Sequence, residues 1–68
     1  MRYPNLKREM KRYGVSRSDI ATGLRVRPNT VTDWLSGKHG MPANAAFEIR
    51  DTFFPGKTVD YLFEVGEG

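Results

Sequence analysis

A chain of 68 residues without cysteine makes a single domain that neither a disulfide nor a thiolate metal site can staple. It holds no apolar run of the roughly 18 residues a membrane span needs, and MRYPNLKREM lacks the apolar stretch of a signal peptide, so a reducing cytoplasm is the expected compartment. The net charge of +3 is unevenly spread: residues 1–38 hold nine Lys/Arg against Glu9, Asp19 and Asp33, whereas residues 39–68 hold Arg50 and Lys57 against Glu48, Asp51, Asp60, Glu64 and Glu67.

Five helical segments follow in chain order, and nothing alternates with period two, so the fold class is all-α. Pro4 and Asn5 open the first helix, Leu6, Met10 and Tyr13 repeat at helical spacing, and Gly14 stops it. Its other faces carry Lys7, Arg8, Lys11 and Arg12. Ser16 with Asp19 forms a Ser-x-x-Asp pair, close to the capping box that starts a helix. Ile20, Ala21 and Leu24 give that second helix one apolar face. Val26 comes too early for the same stripe, so the chain must turn near Gly23 to Arg25. Pro28 suits a first helical position, where its missing N–H costs nothing. Val31, Trp34 and Leu35 then form the core face of a third helix, which Gly37 can close in a left-handed conformation. Its outward positions, Asn29, Thr32, Asp33 and Ser36, are polar. After the loop KHGMP, a fourth helix runs from about Ala43 to Phe53, with Ala46, Ile49 and Phe53 on one face. Phe54-Pro55-Gly56 breaks it, and Thr58 caps a last short helix, VDYLFE, that presents Leu62 and Phe63.

Catalytic and metal chemistry have little to work with. His39 is the one histidine and sits in a glycine-flanked loop, so no metal set is suggested. Neither the Glu48/Asp51 nor the Asp60/Glu64 pair has a base or nucleophile partner, and Ser16, Ser18 and Ser36 lack an activating histidine. The expectation is a protein without enzymatic activity, cofactor, metal or small-molecule substrate. A basic half around two short helices and a tight turn is the electrostatic footprint of a nucleic-acid binder, with a merely basic solvated surface as the competing explanation.

The stretch LKREMKRYGVSRSDIATGLRVRPNTVTDWLSGK resembles the Cro/cI-type (Xre-like) helix-turn-helix family of phage and bacterial transcriptional regulators. The shared pattern is a basic first helix, Gly-hydrophobic-Ser, an acid, hydrophobic-Ala, Leu, a hydrophobic, then Thr-hydrophobic-x-x-Trp and a closing Gly. IRDTFFPGKTVDYLFE is also similar to the ending of small prophage-encoded members, so the resemblance covers residues 5–64. It implies a lambda-repressor-like domain over residues 1–68, with the helix-turn-helix at 16–37 and a short C-terminal helix and tail at 58–68.

Carried over position by position, the resemblance implies that Pro28, Asn29, Thr32 and Asp33 face base edges, and that Arg17, Arg27, Ser36 and Lys38 face phosphates. Asn29 is a bidentate partner for adenine, Pro28 and the Thr32 methyl can touch thymine methyls, and Asp33 can accept from cytosine. The chain departs from the pattern at three places. Arg25 stands where the turn usually holds Gly, Arg27 stands where a hydroxyl cap is common, and the first turn of the third helix has no Gln or Arg reader.

Function is then expected to be sequence-specific DNA binding by a Cro-like repressor, paired as a homodimer on two half-sites because one small domain touches few base pairs. Tyr61, Leu62, Phe63 and Val65 are the candidate dimer contacts, with a closing core helix as the competing reading and the favoured one for Leu62 and Phe63. The alternative is an anti-repressor or interaction module on the same fold that binds a partner phage repressor instead of DNA.

Overall fold

The computed structural model describes residues 2–66, and among these it is all-helical: α1 (Pro4–Tyr13), α2 (Arg17–Leu24), α3 (Pro28–Ser36), α4 (Ala43–Phe53) and α5 (Val59–Leu62). The last two residues of the expected C-terminal tail lie outside that range. Local chemistry sets most helix ends. The Asp19 N–H donates to Ser16 Oγ at 3.0 Å and the Ser16 N–H donates to Asp19 Oδ2 at 2.9 Å, a complete capping box for α2. At α5 the Tyr61 N–H donates to Thr58 Oγ1 at 3.1 Å. Pro28 occupies the first turn of α3, and the Arg27 side chain makes no capping bond there.

The three-residue connection between α2 and α3 is closed by Arg25, which takes φ 58° and ψ 40°. It is the one non-glycine residue with positive φ among the described residues. Two bonds hold it there. The Val26 N–H donates to the Ala21 carbonyl at 2.9 Å and the Arg25 N–H to the Thr22 carbonyl at 3.3 Å, the Schellman arrangement that glycine normally serves. Gly23 serves the packing of α2 against α4. A Cβ there would lie 2.7 Å from Phe53 Cζ, so the absent side chain admits the Phe53 ring against α2.

Packing follows a simple order: α3 lies on α2, α2 on α4, α4 on α5 and α5 on α1. The centre is built from Leu6, Ile20, Val31, Leu35, Ile49 and Leu62, with Tyr3, Trp34 and Phe54 closing it. Three positions differ from the helical periodicity. Tyr13 is largely exposed and only leans toward Phe54, with ring centroids 6.1 Å apart. Phe54, expected as part of a breaker, is core, while Phe53 is half-buried. The last helix ends at Leu62 and does not reach Glu64.

Glu9 is the buried charge of the fold, 1% exposed. Tyr61 Oη donates to Glu9 Oε2 at 3.1 Å, and Lys57 Nζ stands 3.7 Å from Oε1, an ion pair without a hydrogen bond. Sequence spacing counted this residue only as one acid of the basic half. Leu6, Glu9 and Met10 at i, i+3 and i+4 are the signal that places it on the core face.

Candidate nucleic-acid interface

The outward surface of α3 is displayed because α2 covers only its other side. Pro28, Asn29 and Thr32 are exposed, and the Asn29 side chain makes no hydrogen bond to another described residue. Its amide therefore keeps both donors and the acceptor for an external partner. Arg17 at the start of α2, Arg27 ahead of α3 and Lys38 beyond it are likewise exposed. None of the three takes part in an ion pair among the described residues.

Asp33 and Ser36 are partly committed to the protein itself. Asp33 is half-buried, with Oδ2 3.8 Å from His39 Nε2. Its backbone carbonyl accepts from Ser36 Oγ at 3.2 Å, from the Gly37 N–H at 3.1 Å and from the His39 N–H at 3.3 Å. Ser36 gives its hydroxyl proton to that carbonyl, and Oγ accepts from the Lys38 N–H at 3.4 Å. The hydroxyl expected to meet a phosphate thus closes the helix. The His39 imidazole stands beside the Asp33 carboxylate while remaining exposed itself.

The expected dimer set divides in the structure. Leu62 is wholly buried and offers nothing to a second chain, because it fills the space between α5 and the rest of the core. Phe63 is half-buried, edge-on to Tyr3 with centroids 5.5 Å apart. Tyr61 is half-buried, bonded to Glu9, and its carbonyl accepts from Asn5 Nδ2 at 2.9 Å. Val65 alone stands clear, 58% exposed.

Two cations near this surface are not marked by the sequence pattern. Arg25 is exposed in the turn itself. Arg2 reaches the far end of α3, where its N–H donates to the Leu35 carbonyl at 3.1 Å. Only tertiary structure could reveal the second, since 33 residues separate the partners in the chain. Comparison of this chain with protein-family models, curated proteins and solved structures finds no match.

Proposed function

We propose that this protein is a sequence-specific DNA-binding regulator on a lambda-repressor-like helix-turn-helix scaffold, of the Cro/cI (Xre-like) kind, that works in pairs on an operator with two half-sites. The observation that carries the reading is the α2–Arg25–α3 unit. It joins two short helices through a left-handed residue and leaves the Pro28, Asn29 and Thr32 face open beside the unpaired cations Arg17, Arg27 and Lys38. A helix offered in this way suits the DNA major groove, while flanking cations suit its phosphates. Asn29 and Thr32 carry the base reading. Asp33 serves mainly to order the end of the recognition helix through its carbonyl, which accepts from Ser36, Gly37 and His39.

Selection from a randomised duplex pool tests this directly. The wild-type protein should enrich a recurring site, and Asn29→Ala should cost about 1–3 kcal/mol on that site while relaxing preference at one position. A pool that yields no enriched sequence, together with a stable complex between this protein and a partner repressor, would overturn the reading.

A further inference from the structure

We propose that the exposed face of α1, joined through Arg2 to the end of α3, is a second phosphate-binding track that follows the DNA backbone away from the recognition helix. This inference rests on the DNA-binding reading and extends it. Lys7, Arg8, Lys11 and Arg12 stand at i, i+1, i+4 and i+5 of α1, and all four are exposed. The one acid of the helix, Glu9, is turned into the core, so the helix itself contributes only cations to its outer face. An exposed acid from outside the helix, Glu64, meets its first turn, accepting from Asn5 Nδ2 at 3.2 Å. The ion pairs of the described residues join Arg50 to Asp51 and Lys57 to Glu9, and neither involves the α1 stripe. Like charges four residues apart, as in Lys7/Lys11 and Arg8/Arg12, oppose helix formation. An arrangement that works against its own helix and has no internal anion is suited to an anion brought from outside.

Arg2 supplies the connection. Its backbone is bonded to Leu35, and its Cδ and Nη1 pass 3.5 Å from where a Cβ on Gly37 would lie. Lys38 is the next residue along. Arg2 thus ties the end of α3 to the chain segment that opens α1, with its guanidinium 5.9 Å from the Tyr3 ring centroid. That continuity with the α3 surface favours the backbone of the same duplex over an acidic protein, and the guanidinium groups of Arg8 and Arg12 match phosphate geometry in a fork.

Backbone binding is independent of sequence, so a mixed-sequence duplex titrated at several salt concentrations suffices as the probe. In the variant carrying Lys7→Gln, Arg8→Gln, Lys11→Gln and Arg12→Gln, the slope of log K against log salt should become shallower by about 2–4, because each phosphate no longer neutralised accounts for about 0.9. Arg2→Gln should make it shallower by about one. Far-UV circular dichroism should stay as in the wild type, because these side chains form no bond that holds the helix. The absence of cysteine allows a positional readout. An iron–EDTA group tethered at Arg8→Cys should cut the duplex, and one tethered at Glu48→Cys, on the exposed side of α4, should not. A quadruple variant with the wild-type slope, or no cutting from position 8, overturns the track and leaves the regulator reading standing. A wild-type protein that binds no duplex removes both.

Discussion

Arg25 carries a cost that glycine would not. An L-residue held at φ 58° loses about 1–2 kcal/mol relative to ordinary backbone angles, while glycine there costs more entropy on folding. Relief should outweigh entropy, so Arg25→Gly is expected to raise stability by about 0.5–1 kcal/mol, a gain of a few degrees in Tm. Thermal melting followed by circular dichroism checks this, and a lower Tm would mean that the Arg25 side chain contributes more than its backbone costs. Glu9 poses the opposite case, a polar group whose burial depends on one donor. Tyr61→Phe removes the hydroxyl 3.1 Å from Oε2 and should destabilise by about 1–3 kcal/mol, the cost of an unsatisfied buried acceptor. Adding Glu9→Leu to that variant should restore most of the loss, since the buried acceptor is gone and Lys57, its side chain 32% exposed, can turn its ammonium to solvent. Urea denaturation of the single and double variants decides it, and a double variant no more stable than Tyr61→Phe would show that the cost lies elsewhere.

At the scale of helices, the boundaries were the legible part, because they are written in short-range chemistry. Ser16 with Asp19, Pro28, Gly37 and Thr58 each act within four residues, and each lies where the sequence pattern puts it. The turn was legible because the apolar stripe breaks between Leu24 and Val26, whereas the left-handed place of Arg25 follows only from the resemblance, in which glycine usually stands there. What the pattern could not supply was the choice among aromatic residues. Tyr3 and Phe54 enter the core while Tyr13 stays out, and that depends on where α1 and α4 meet other helices. The residues proposed to face bases show the same division. Asn29 and Thr32 follow from helical spacing, whereas the approach of His39 to Asp33 requires the loop after α3 to fold back. The capping box offers a direct measure of how much the local signal weighs. Ser16→Ala breaks the bond to the Asp19 N–H at 3.0 Å and should cost about 1 kcal/mol. Ser16→Asp should recover most of it, and equal melting temperatures for wild type and Ser16→Ala would mean that tertiary packing alone starts α2.

The whole molecule is small for the work proposed for it. Its extents are 27 × 27 × 21 Å, while half-sites read from one face of DNA lie about 34 Å apart. Two copies side by side fit that spacing with only a narrow contact between them. The C-terminal segment is poorly placed to widen the contact: Leu62 is sealed in the core, Phe63 packs on Tyr3, and the Gly66 N–H donates to the Arg2 carbonyl at 3.0 Å. Val65 is the large apolar side chain of that segment left exposed. Pairing through it should therefore be weak in free solution and appear mainly when DNA holds two copies together. Val65→Asp should lower binding to a two-half-site duplex by about tenfold, corresponding to about 1.5 kcal/mol for a valine no longer buried. Binding to a single half-site should not change, nor should Tm, because Val65 contributes nothing to the core. Gel-shift titration on the two duplexes separates these effects. Equal loss on both would place Val65 at the DNA surface, and no loss on either would move the pairing surface away from the C-terminal segment altogether.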